Sequence, residues 1–271
     1  GLRVLLTEET DWLGGQLTAQ AVPPDENAWI EGSHASPGDT DFRQRVRAYY
    51  RRNYPLTPKA AADPLLDPGL GIVSRLCHEP RVAAAVIEEM IAPWLASGRL
   101  RVLFEHRPVA VEVVADRIRS VTVRAADRTE KELRAPIVVD ATELGDLLEL
   151  GGVEHVVGAE GRDDTGELHA PETADPMDQQ AISWCFALEH RPGEDHTGDK
   201  PARYDHWRTH VDPFWPGPQL SWVDVEPIGL RGRTRPIFHL RPTPDVSFDL
   251  RRFRRGVVVG ELSGSPSDSR S

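Results

Sequence analysis

The residues best placed to do chemistry are carboxylates that close short apolar runs. Glu8 and Glu9 end the run Val4-Leu5-Leu6-Thr7 and lead into Thr10-Asp11-Trp12-Leu13-Gly14-Gly15-Gln16. A carboxylate at the carboxyl end of a strand in a dinucleotide-binding sheet accepts hydrogen bonds from ribose hydroxyls. The Gly14-Gly15 pair then lets backbone pass close to an extended ligand, where a β-carbon would clash. The same residues also read as an ordinary strand followed by a glycine turn. A second run, Pro136-Ile137-Val138-Val139-Asp140, continues as Ala141-Thr142-Glu143-Leu144-Gly145-Asp146. Small residues followed by Gly-Asp let a helix start beside a ligand.

Other reactive groups read more plainly. Cys77 precedes Pro80 at a helix start and neighbours His78, an arrangement that can activate a thiol. A small buried side chain is the reading we favour. His206 and His210 stand at i,i+4 spacing with Asp205 and Asp212 nearby, the seed of a metal-dependent hydrolase site. No His-Glu-x-x-His motif accompanies them, and no metal site is expected. Cys77 and Cys185 are the only cysteines, too few for a four-thiolate zinc or iron–sulfur site within the chain. Arg43, Arg45, Arg47, Arg51 and Arg52 read as a solvated helix face rather than as a surface for an anionic substrate.

Positioning these groups requires a mixed set of elements. Gly1–Glu9, with its short apolar run Val4-Leu5-Leu6, and the solid apolar run Pro136–Asp140 have the pattern of buried parallel strands. Phe42, Val46 and Tyr49/Tyr50 predict a helix from Asp39 to Tyr54, capped by Asp39 or Thr40 and ended by Pro55. Leu56–Gly71 reads as loop. A second helix starts at Pro80 and carries Val82, Val86, Met90 and Trp94, with Gly98 beyond its end. Pro93 predicts a kink or an early stop. Strands at Arg101–Phe104, around Val109–Val113, at Ile118–Val123 and at Glu132–Arg134 make a meander between the two buried strands. Gly161–Gln180 reads as loop, Ile182–Leu188 as an amphipathic strand and Tyr204–His210 as a short helix. The Ser-rich end has the composition of a disordered tail.

Composition limits the partners. The chain has 271 residues and a formal net charge of −11, against the basic excess that phosphate-tracking surfaces need, so nucleic acid is not an expected partner. No apolar run approaches the roughly 18 residues of a membrane span, and Val4-Leu5-Leu6 is too short for a signal-peptide core. A cytoplasmic enzyme acting on a small molecule is the expectation, with the substrate and redox partner left open.

In order along the chain, residues 4–16, Arg75-Leu76-Cys77-His78-Glu79-Pro80 and the segment from Asp140 to Leu148 resemble the FAD-dependent oxidoreductases of the glutathione-reductase-like class. The likeness is nearest to the bacterial family grouped with heterodisulfide reductase A-subunit-like flavoproteins, and it covers roughly residues 1 to 250. It implies an α/β fold: an FAD/NAD(P)-binding Rossmann-like domain with an inserted β-meander, plus an interleaved α+β substrate or cap domain. Residues 1–31 and 75–160 fall to the FAD-binding domain, 32–74 and 161–250 to the cap region, and 251–271 to the tail. FAD is the implied cofactor. The family's ribose-binding glutamate falls on Glu8, with Glu9, Gly14, Gly15 and Gln16 in the same stretch. Its backbone contact to adenine falls near Pro108 or Val109, and its Ala-Thr-Gly approach to the cofactor falls on Ala141 and Thr142, with the glycine displaced to Gly145.

The family's first strand and Gly-x-Gly-x-x-Gly turn, which supply the pyrophosphate amides, have no counterpart among the 271 residues. The expectation is therefore a chain truncated before the second strand, with the missing βα unit encoded within about 35 residues upstream of Gly1. The C-terminal end also reads as cut short. These residues alone are expected to hold FAD weakly, which leaves a non-catalytic fragment as an alternative to a working oxidoreductase. Relatives can carry iron–sulfur clusters, but no ligands for one are present here.

Overall fold

The computed structural model describes residues 1–20, 29–32, 35–69, 74–179, 193–226 and 228–234. In chain order the elements are β1 (Val4–Thr7), α1 (Pro37–Asn53), α2 (Pro58–Ala62), α3 (Pro80–Ala96), β2 (Leu100–Leu103), β3 (His106–Val114), β4 (Arg117–Ala125), β5 (Glu130–Leu133), α4 (Asp146–Leu150), α5 (Arg162–Thr165), α6 (Tyr204–Thr209), β6 (Val223–Val225) and β7 (Gly232–Thr234). They fall into two compact units, Gly1–Gly15 with Ile87–Cys185 and Gln16–Val86 with Phe186–Ser271. The strand expected at 182–188 and the tail at 251–271 lie outside the described residues.

In the first unit β1 pairs in parallel with β2, Val4 opposite Leu100 through Thr7 opposite Leu103. β3, β4 and β5 form a separate antiparallel meander. Positive φ at both Ala115 (48°) and Asp116 (61°) makes the β3–β4 connection a tight turn of the kind that matches strand twist. The core here is small. Val121 and Val123, two residues apart on β4, are buried with Leu147 of α4, and Val111, Ile118, Leu133 and Val138 pack around them.

Three sequence expectations change in this unit. β1 is a parallel strand, but Val4 and Leu5 are exposed rather than buried. Residues 136–140 are not a strand. Val138 turns inward onto the meander core, while Ile137 and Val139 remain 72% and 78% exposed. A buried parallel strand needs ladder partners and a covering layer. Among the described residues this segment has no ladder partner, so its apolar run stays irregular. The stretch expected to be loop at 161–180 contains α5 and an isolated bridge between Ala159 and Asp175.

In the second unit α1 starts two residues before the expected position. Ser36, not Asp39 or Thr40, is the cap, and its hydroxyl accepts from the Asp39 N–H at 3.1 Å, with Pro37 in the first turn. Phe42, Val46 and Tyr50 form its buried stripe. Arg43 and Arg47 are buried too, at 4% and 3% exposure, so the arginine face is not wholly solvated. Glu31 bonds both guanidiniums, and Arg47 also donates from Nε to the Leu66 carbonyl at 3.0 Å. Burial of two cations is tolerable here because a carboxylate and backbone carbonyls replace water. The expected loop after α1 contains α2, capped by Thr57.

α3 starts at Pro80 as its sequence indicates, and it runs through Pro93 to Ala96 with no early stop. Its end is a Schellman arrangement. Gly98 takes φ 65°, its N–H donates to Leu95, and the Arg99 N–H donates to Trp94. The hairpin of β6 and β7, held by Arg233 Nε on Asp224 Oδ1 at 2.8 Å, had no counterpart in the sequence reading.

Candidate cofactor site

The loop after β1 is built around Glu8. Its Oε1 accepts from the Thr10 N–H at 2.8 Å, and the Thr10 hydroxyl lies 2.8 Å from both that oxygen and the Trp12 carbonyl, with one proton to donate to either. The carboxylate is thereby fixed at the carboxyl end of the strand while the residue stays half-exposed. Glu9, the next residue, is exposed. Backbone bonds tie this loop to the β2–β3 connection. The Glu8 N–H donates to Leu103, the His106 N–H to Glu8, and the Glu105 N–H to Thr10, at 2.9–3.0 Å. Glu105 adopts φ 56°, a left-handed conformation costly for a residue with a side chain, so three backbone bonds hold a strained corner.

Two residues along β3 from that corner the ladder slips. Pro108 pairs with Val123 and Ala110 with Thr122, which leaves Val109 without a register partner. Such a bulge breaks the ladder locally and redirects the backbone. Pro108 and Val109 thus lie two and three residues beyond the residue bonded to Glu8. His106 is pinned on both ring nitrogens, Nε2 accepting from Lys131 Nζ at 3.0 Å and Nδ1 donating to the Phe104 carbonyl.

The second group centres on Asp140. Its Oδ1 accepts from the Thr142 N–H (3.0 Å) and hydroxyl (2.8 Å), and its Oδ2 from the Leu147 N–H (3.0 Å). The Thr142 oxygen in turn accepts from the Asp146 N–H at 2.7 Å. Partial burial pushes the Asp140 carboxyl upward, but the three donated bonds outweigh it and hold the group below its ordinary value. Gly145, at φ 70°, precedes α4 in the left-handed region. Ala141 is exposed on this loop and Thr142 half-buried.

Gly14 and Gly15 both have positive φ, 129° and 49°, and Gly15 opens the single turn of 3₁₀ helix Gly15–Leu17 that includes the exposed Gln16. A β-carbon at Gly15 would lie 3.3 Å from Glu143 Oε1, so the loop after β1 and the loop after Asp140 meet there. The structure therefore brings Glu8 to the start of β3 and Gly15 to Glu143. No hydrogen bond among the described residues joins the Glu8 carboxylate to Ala141 or Thr142. Thr10, His106 and Glu143 were given no role from sequence, and Asp140 was read only as the acid that ends an apolar run. Only Asp140 carried a usable signal, an acid ending an apolar run two residues before a threonine.

The remaining reactive groups have other roles. Cys77 is fully buried, its N–H donating to Asp67 Oδ1 at 2.6 Å. His78 is buried with its ring edge-on to Phe42 at 5.9 Å. His206 and His210 stack at 5.0 Å on and just after α6, and His210 Nε2 lies 3.1 Å from Asp212 Oδ1. Among the described residues no three histidine, cysteine or acidic side chains are grouped so as to hold a metal ion. Nor is any helix among them long and apolar enough to cross a membrane.

A carboxylate fixed at a strand end and a close approach at glycine are what an extended dinucleotide cofactor would use. The family comparison agrees: the model for FAD dependent oxidoreductases matches residues 1–235, and the chain belongs to that family. Comparison with curated proteins found no match.

Proposed function

We propose that the chain serves a flavin-dependent oxidation or reduction of a small molecule, with FAD lying along the first unit. The observation that carries this reading is the bonding of Glu8 to its own loop and to the start of β3. With Oε1 engaged by Thr10, Oε2 remains for a ribose hydroxyl, and a charge-assisted bond of that kind is among the stronger ones available. The residues fit the adenosine end of the cofactor. Pro108 and Val109 at the bulge are assigned to the adenine edge, where backbone rather than side chain reads the base. Gly14 and Gly15 are assigned to a close approach of backbone to the extended cofactor, with Glu9 and Gln16 in the same stretch. Asp140 positions Ala141, Thr142 and Gly145 by closing their loop on itself.

When bound, FAD supplies an acceptor for electrons or hydride, and the protein's part is to bind and orient it. The cap region, residues 32–74 and 161–250, is assigned to the substrate side. Within the family, the heterodisulfide reductase A-like group is the branch whose motifs the sequence resembles most. The test is direct titration of the purified chain with FAD, ADP and adenosine. Saturable binding of adenosine and ADP that weakens on Glu8→Ala supports the reading. Indifference of the protein to all three ligands refutes it.

A further inference from the structure

The Glu8 carboxylate is engaged on one side only. A carboxylate oxygen has two acceptor positions, and Thr10 meets both positions of Glu8 Oε1, its N–H and its hydroxyl each 2.8 Å away. The hydroxyl stands equally close to the Trp12 carbonyl, but a carboxylate is the stronger acceptor and takes its proton. Oε2 has no hydrogen-bond partner among the described residues, although Glu8 is half-buried at the strand end. Backbone bonds from the Glu8 N–H to Leu103 (2.9 Å) and from the Glu105 N–H to Thr10 (3.0 Å) hold both residues in place, so the open oxygen keeps its side.

We infer that Thr10 is a positioning residue that restricts Glu8 to one hydroxyl of a nucleoside's vicinal diol, so that the site tells a 2′-deoxyribose from a 3′-deoxyribose. This rests on the assignment of Glu8 to the ribose. A carboxylate with both oxygens open accepts one hydroxyl on each. With Oε1 filled, Oε2 alone remains. The two ribose hydroxyls are neighbours on one ring and cannot both lie along the diverging lone-pair directions of a single oxygen. One bond to the charged group is therefore made in full and the other is not. Thr10 imposes this through its hydroxyl, because its N–H by itself leaves one position on Oε1 open.

The test titrates adenosine, 2′-deoxyadenosine and 3′-deoxyadenosine against the unaltered chain, Thr10→Val, Thr10→Ser and Glu8→Ala, read by ligand-observed magnetic resonance. In the unaltered chain one deoxy isomer is expected to bind roughly tenfold more weakly than adenosine, the loss of one bond to a charged group, and the other within about threefold of it. Thr10→Val keeps the branched shape and the N–H but removes the hydroxyl. The second ribose hydroxyl then gains an acceptor, and both isomers fall below adenosine alike. Thr10→Ser returns the hydroxyl and with it the one-sided pattern, which a merely structural role for Thr10 would not follow. Glu8→Ala abolishes the difference between the isomers. Equal affinities of the two isomers for the unaltered chain, or a one-sided pattern that survives in Thr10→Val, overturn the role of Thr10, while weaker adenosine binding in Glu8→Ala keeps the ribose placement standing. Loss of all three ligands by Thr10→Val overturns it too, because that marks a collapsed loop rather than an opened oxygen. Adenosine binding that is absent, or indifferent to Glu8→Ala, overturns the ribose placement and this inference together.

Discussion

Glu31 shows how one side chain can decide whether buried charge is tolerated. It bridges Arg43 and Arg47, both nearly inaccessible, and the two guanidiniums overcome the upward push of burial to hold its carboxyl below the ordinary value of 4.5. Its contribution to stability is therefore complete above about pH 4.5 and is lost as pH falls through the lowered folded value. Glu31→Gln is expected to be less stable at pH 7 and to lose less further stability between pH 4.5 and 3 than the parent, as read by urea denaturation across pH. An unchanged acid slope would show that Glu31 is not the group responsible. Asp140→Ala removes the acceptor of three bonds to Thr142 and Leu147. An expected cost of about 1–2 kcal/mol in chemical denaturation checks its role as the loop's anchor. Residue types showed where acids end apolar runs, and so marked Glu8 as a candidate. They did not show that Glu8 bonds Thr10, or that Glu143 reaches Gly15, because both depend on loop paths that no spacing rule encodes.

Among the elements, helices were easier to read than strands. Pro80 at the start of α3 and Gly98 after it are local signals with local causes, and the structure keeps both. Ser36 was missed as the cap of α1, although Ser-Pro followed by an acid is a start signal in its own right. Ser36→Ala is expected to cost about 1 kcal/mol, measurable as a shift of the denaturation midpoint. Strand burial was harder, because an apolar run states preference and not partnership. Residues 136–140 have the composition of a buried strand, yet Val139 faces solvent. Val139→Thr is accordingly expected to change stability by less than about 0.5 kcal/mol. Leu147→Ala, which empties the meander core, is expected to cost about 2–4 kcal/mol. Comparable costs for the two variants would place Val139 inside the fold after all.

The chain as a whole carries a net negative charge, and the cofactor implied by its family is itself anionic. With a net charge of −11, affinity for a dinucleotide rests on local donors and on hydroxyl-accepting carboxylates rather than on attraction at a distance. Family membership over residues 1–235 implies FAD as the cofactor, and Glu8, the bulge at Pro108–Ala110 and the Gly15 approach are where we propose its parts lie. Comparison of variants is more informative here than an absolute affinity. The most direct test is titration of the chain, Glu8→Ala and Glu9→Ala with ADP and FAD by calorimetry or ligand-observed magnetic resonance. Glu8→Ala is expected to weaken both ligands by about 1–3 kcal/mol, the loss of charge-assisted bonds to ribose hydroxyls. Glu9→Ala is expected to change them less than about threefold, since successive strand residues face opposite ways. Equal losses in the two variants, or none in Glu8→Ala, would contradict the placement of the ribose at the end of β1.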